Sequence, residues 1–314
     1  MRARAVLTVE RGAGGRSVVR ELRSQSPLSL VPRRGTAAAT DPTATVHMVG
    51  SASTPLAGDD VELTVHVGAG AALVLTGVAA AVALPGVDRP SSLTLRLTVE
   101  EGGSVQYLPE PTVITARAHH HTLLHARLHP TARLRVREVL VGGRAGEPSG
   151  RYRGTVRVEE TAAAHDSAVR AVGGEFGGDP GSVHDGAVRA VGLHRSAVRA
   201  VPLLHQTQEL GDALLQGSSA HLAGRRVLGT EVLLWGEDGE AAAGSWWSLT
   251  PLALRGSLAT AVGPDAVSTQ RALAAAVAAH PGWTAATVHG SAVRAVGPHK
   301  SAVGAATETH QEAP

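Results

Sequence analysis

The sequence predicts an all-β protein with one or two short α-helices, and three observations carry that expectation. Runs of alternating apolar and polar residues recur along the chain, the period-two signature of half-buried strands. Glycine and proline punctuate these runs, 37 and 17 of them in 314 residues, as frequent chain reversal requires. Helix-periodic segments are scarce, and short strands in close succession argue meandering, mainly antiparallel pairing.

The first strand is expected at 5–9 (AVLTV) and the second at 26–31, ended by Pro32. Residues 61–67 alternate cleanly, with Val61, Leu63, Val65 and Val67 on one face and Glu62, Thr64 and His66 on the other. Gly68-Ala69-Gly70 turns the chain into a strand at 72–76, and residues 93–99 alternate again before Gly102-Gly103. Further strands are expected at 104–107, 122–128, 134–141, 152–158, 227–235 and 246–254. The best helix is 265–279, ending near Pro281, with a shorter one at 209–216.

One motif repeats: HDSAVRAVGG at His165, HDGAVRAVG at His184, HRSAVRAV at His194, HGSAVRAVG at His289 and a partial HKSAVG at His299. Solenoids need regular tandem copies to bury a shared core, and these copies are irregularly spaced. A loosely structured insertion at about 165–201 is therefore expected, the alternative being a repeated His/Arg binding element. The expected organisation is a single β domain over 1–287 and a flexible tail over 288–314.

Composition narrows the function. Apolar residues make up 43% of the chain but only seven are aromatic, so the core must be aliphatic. A net charge of +2, scattered arginines and few stacking aromatics argue against nucleic acid as a partner. Cysteine is absent, which removes disulfides, thiolate metal sites and thiol catalysis. Any transition-metal chemistry falls to imidazole and carboxylate. The first fifteen residues carry no signal-peptide core, and no run of eighteen apolar residues occurs. A cytoplasmic protein with no membrane partner is expected.

No motif announces catalysis: HExxH, a phosphate loop and a Gly-x-Ser-x-Gly elbow are all missing. What stands out lies between Gly102 and Gly150. The strand HHHTLLHARLH places His119, His121, His125, Arg127 and His129 on one face and Leu124, Ala126 and Leu128 on the other. Imidazoles two apart on a strand suit chelation of zinc, nickel or copper; an ordinary solvent-facing strand fits the pattern too. Upstream, Tyr107-Leu108-Pro109-Glu110-Pro111-Thr112 pins one carboxylate between two prolines, as a rigid corner or as a pre-organised ligand. Downstream, Gly142-Gly143-Arg144-Ala145-Gly146-Glu147 makes a tight reversal across which Arg144 and Glu147 are placed to pair. Gly58-Asp59-Asp60 is a turn before the strand at 61–67, structural or liganding.

Together these segments resemble the urease accessory protein family known as UreD or UreH. The matching stretches are GDDVELTVHVGAGAALVLT from Gly58, LTVEEGGSVQYLPEPTVI from Leu97, LRVREVLVGGRAGEPSGRYRGTVRV from Leu134, HQTQELGDALLQG from His205 and RRVLGTEVLL from Arg225. The likeness spans roughly 26–279, and the YLPEP corner followed by the GR…GE turn is its most specific part. Departures are VGSASTPLAGDD before the aspartate turn, Thr76-Gly77 where threonine-glutamine is usual, and the 165–201 insertion.

The resemblance implies stacked, partly helical sheets and a non-enzymatic urease maturation factor. It implies no tightly bound cofactor but Ni2+ in transit, with an internal passage as the proposed route. Its implied partners are the urease apoenzyme, a helical accessory protein (UreF-type) and a GTP-hydrolysing nickel carrier (UreG-type). On this basis Glu110 leads as a residue of the route or an interface, and Asp59, Asp60, Tyr107, Pro109, Pro111, Arg144 and Glu147 follow as motif residues. Transient metal contact is expected at Glu110, His119, His121 and His125. The competing classes are a β-structured binding module with an incidental histidine strand and a histidine-based metal hydrolase. The second lacks a water-activating carboxylate at ligand spacing.

Overall fold

The computed structural model describes residues 1–86, 89–161, 200–211 and 221–283. The N-terminal strands are β1 (Arg2–Arg11), β2 (Ser17–Arg23), β3 (Leu28–Pro32), β4 (Ala44–Gly50), β5 (Asp60–Val67) and β6 (Ala72–Gly77). Next come β7 (Ala81–Ala83), β8 (Ser91–Val99), β9 (Ser104–Leu108), β10 (Thr112–Ile114), β11 (His119–Leu128), β12 (Arg133–Gly142) and β13 (Arg151–Thr161). The rest are β14 (Ala200–Leu210), β15 (Val227–Leu234), β16 (Ala242–Gly244), β17 (Trp247–Pro251) and β18 (Ser257–Gly263). Helices are α1 (Thr36–Thr40), α2 (Ala266–Ala278) and a 3-10 turn at His221–Gly224. The all-β expectation with few helices holds.

Seven strands form one sheet in the order β14-β13-β11-β8-β5-β1-β2. The second sheet runs β16-β17-β18-β15-β12-β9-β6-β4-β3, with β10 beside β12 and β7 beside β10.

Strand direction corrects the expected antiparallel meander. Nine of the sixteen ladders among the described residues are parallel. The reason is that β5, β8, β11 and β13 lie in one sheet while β6, β9 and β12, which alternate with them along the chain, lie in the other. Each pass returns to the first sheet one strand further on and in the same direction, so the chain coils. Hydrophobic alternation reports one buried face and says nothing about the direction of the neighbour.

The coils stack because their corners repeat. Glu100 N–H donates to Val67 O at 2.9 Å, His129 N–H to Val99 O at 2.9 Å and Arg133 N–H to Gly103 O at 2.9 Å, continuing the ladders around the bends. In register, Leu7, Val65, Leu97, Ala126 and Val158 form an inward row across the first sheet. Leu73, Val105, Leu134 and Leu234 form one across the second. All nine are buried, and they join a single core packed between the sheets. Helix α2 covers the opposite face of the second sheet, setting Leu273, Ala276 and Val277 on Val227, Ala259 and Ala261.

Of the expected helix at 209–216, Glu209 and Leu210 finish β14 and 212–216 lie outside the described residues. The expected insertion also falls largely outside them, except that Ala200 and Val201 belong to β14. The tail from 288 lies outside as well.

Candidate functional site: a cavity between the sheets

Between the sheets, beyond the apolar rows, lies a cavity of about 460 Å3. Its wall is largely aliphatic, with Leu63, Leu95, Leu124 and Val136 among the lining side chains. Set into it are Asp59, Tyr107, Glu110, His120, Arg137 and Glu138. A few convergent polar groups in an otherwise apolar concavity are the usual make-up of a binding site.

Glu138 is a carboxylate of the cavity wall. On β12 it follows Leu134 and Val136 at period two, so the strand turns it inward. The Tyr152 hydroxyl donates to its Oε1 at 2.5 Å and the Thr122 hydroxyl donates to the same atom at 3.3 Å. Burial raises its pKa, and the two hydroxyl donors only partly offset that. Burial and the nearby Glu138 charge in turn push the Tyr152 phenol well above its ordinary value. Tyr107, 8% exposed, is pushed up by the same two causes.

His120 is the inward member of the histidine triplet. It is 2% exposed, and its Nδ1 lies 2.9 Å from Ser91 Oγ. Burial lowers its pKa to about 4, so at neutral pH it is an uncharged imidazole.

Glu110 is held by backbone geometry. Its amide passes so close to Gly77 that a Cβ there would stand 2.9 Å from Glu110 N, so the corner fits over a glycine alone. Pro109 O accepts from Arg137 Nη2 at 3.3 Å, and Pro111 O accepts from Ala81 N–H at 2.9 Å. The two prolines thus pin the corner to β12 and β7 while the Glu110 side chain faces the cavity.

The other expected residues divide. Asp59 lines the cavity but is fully engaged, 2% exposed, taking Met1 N at 2.6 Å on Oδ1 and Thr54 Oγ1 and Leu56 N at 3.1 and 3.0 Å on Oδ2. Burial works to raise its pKa, yet these donors outweigh it and the net shift is downward. Asp60 points to the outer face, near Arg4 at 3.4 Å and Ser92 Oγ at 3.0 Å. Arg144 and Glu147 meet through backbone: Glu147 Oε2 accepts Arg144 N–H at 2.9 Å. The turn carbonyls of Gly142 and Gly143 accept from Arg226 at 2.8 and 2.9 Å. Gly143 has φ +73°, and a side chain there would run into Glu147 O. This turn is a structural clasp, away from the cavity.

The four residues expected to touch metal in transit lie apart: Glu110 lines the cavity, and His119, His121 and His125 do not. His119 and His121 lie on the outer face of β11, and His125 pairs with Glu159 at 3.1 Å. Among the described residues no three His, Asp or Glu side chains gather as a metal cage. The sequence reading passed over His120, Arg137 and Glu138. The signal for two of them was present: His120 falls on the inward parity of its strand, and Glu138 is a carboxylate on an apolar parity.

A coiled pair of sheets around a cavity with acid and imidazole groups set into it defines a class of protein, an all-β scaffold with a few polar groups in an apolar interior. The chain belongs to the UreD urease accessory protein family, whose model matches residues 1–310. It is 46% identical over 289 residues to urease accessory protein UreD 1 of Saccharopolyspora erythraea, covering 91% of this chain and 98% of the relative. The UreD of Frankia alni is 38% identical over 88% of this chain and 92% of its own length. That of a Parafrankia species is 39% identical over 87% and 86%.

Proposed function

We propose that this protein acts in urease maturation as a non-catalytic scaffold that helps bring nickel to the apoenzyme. Its partners on this reading are apo-urease, a helical accessory protein and a GTP-hydrolysing nickel carrier, all in the cytoplasm. The observation that carries the proposal is the cavity, where Glu110, Glu138 and His120 place oxygen and nitrogen donors in a largely apolar wall. Glu138 is suited to transit in particular. Burial penalises the charged form of this carboxyl, and an arriving cation offsets that penalty only while it stays. Sparse donors hold an ion weakly, and delivery requires release.

The test is urease activation with Glu138→Gln, which keeps the shape and removes the ionisable group. Urease matured with this variant should hold about ten-fold less nickel or lower still, while the accessory complex still co-purifies. Wild-type nickel content with the variant would refute the cavity as the route. A binding module without a nickel role predicts that wild-type result.

A further inference from the structure

The outer face of β11 carries a second arrangement that the cavity does not use. His119 and His121 are two apart on the strand, and their side chains converge until the two Nε2 atoms stand 2.9 Å apart, with the rings at 87°. We propose that this half-buried pair is a chelate for a divalent transition-metal ion of tetragonal or octahedral preference, nickel or copper in class. The proposal is independent of the cavity reading.

The geometry is the first argument. With metal–nitrogen bonds of about 2.0–2.1 Å, two nitrogens 2.9 Å apart subtend about 90° at a shared ion. That is the cis angle of a square-planar or octahedral centre and falls short of the tetrahedral angle zinc prefers. Without metal, one ring's Nε2–H donates to the other's Nε2. Binding an ion moves that proton to Nδ1 of the same ring and frees both Nε2 lone pairs.

Pre-organisation is the second argument. β11 lies inside the sheet, in parallel ladders with β8 and β13 along most of its length. Between the two ligands, His120 faces inward and is anchored at Ser91. The backbone that carries the pair is therefore fixed, and little ordering remains to oppose binding.

Access completes the case. His119 lines a shallow pocket of about 190 Å3 with Arg89 and Arg117, leaving room for an ion and its waters. Arg153, the cross-strand neighbour of His121, is engaged by Glu209 at 3.2 Å. His125 is no third ligand: it is four residues along the strand, about 13 Å away. With two protein donors, water fills the remaining positions, so the ion is weakly held and exchangeable.

The full chain would be titrated with Ni(II) by calorimetry and with Cu(II) under electron paramagnetic resonance. Four proteins are compared: wild type, His119→Gln, His119→Gln/His121→Gln and His125→Gln. The wild type should bind one ion per chain more than the double variant, and its copper spectrum should lose a two-nitrogen pattern in that variant. His119→Gln should bind at that site about ten-fold more weakly or worse, and it carries the test if the double variant does not fold. His125→Gln should match wild type. Equal stoichiometry and spectra in wild type and the His119 variants would overturn the proposal and leave the cavity reading standing.

Discussion

At the scale of single residues, His120 couples the cavity wall to acid stability. The folded chain lowers its pKa from 6.5 to about 4. Below pH 6.5 the unfolded chain takes up a proton that the native imidazole refuses. The stabilisation is therefore complete above pH 6.5 and lost as pH falls towards 4. The loss attributable to this one group is about 3 kcal/mol at most. Denaturant titrations at several pH values should show His120→Gln losing less stability than wild type between pH 6.5 and 4. Parallel curves for the two proteins would show that the histidine is not buried as described. The histidine triplet itself was plain in the sequence, and strand parity already separated His120 from its neighbours. What parity cannot supply is the second wall: Tyr152, Glu138 and Thr122 come from three strands, and only the coil brings their hydroxyl and carboxyl groups together.

At the scale of elements, α2 seats on the second sheet through residues chosen for smallness. Asp265 caps it by accepting Ser268 N–H at 2.8 Å. Beneath it, a Cβ on Gly263 would lie 2.4 Å from Thr269 Oγ1, and Thr269 is fully buried. Gly263→Ala should cost about 1–3 kcal/mol by overpacking. Adding Thr269→Ala should recover part of that, since the two sites touch. Thermal melts of the four-member cycle check this, and strictly additive losses would contradict the contact. Leu273, 1% exposed, should cost about 2–5 kcal/mol as Leu273→Ala. The strand beneath the helix was invisible beforehand for the same physical reason. β18 reads SLATAVG, whose small inward residues Ala259 and Ala261 leave room for a helix and so carry little hydrophobic signal. β2 and β4 were missed too, and β14 was obscured where its start overlaps the repeat-bearing segment.

At the scale of the whole molecule, the coil explains how an aliphatic, aromatic-poor chain holds two large sheets together. Each pass adds an apolar residue to rows already in place, so Leu, Val and Ala suffice where an isolated pair of sheets would need larger side chains. The same topology limits what the repeat-bearing segment contributes. β13 and β14 are antiparallel neighbours, with Thr161 opposite Ala200 across the ladder. Residues 161 and 200 are therefore cross-strand partners, the junction of a hairpin. Two such ends are joined equally well by a two-residue Asn-Gly turn, whose twist matches an antiparallel pair. Replacing residues 162–199 with Asn-Gly should thus leave the circular dichroism spectrum of the sheets nearly unchanged and not lower the melting temperature. Loop-closure entropy favours the shorter connection by about 2–3 kcal/mol, since its cost grows with the logarithm of loop length. Urease activation by the excised chain then separates two roles for the HxxAVRAV motifs. Retained activation marks the segment as dispensable to delivery, whereas a folded but inactive protein assigns the repeats a contact with a partner.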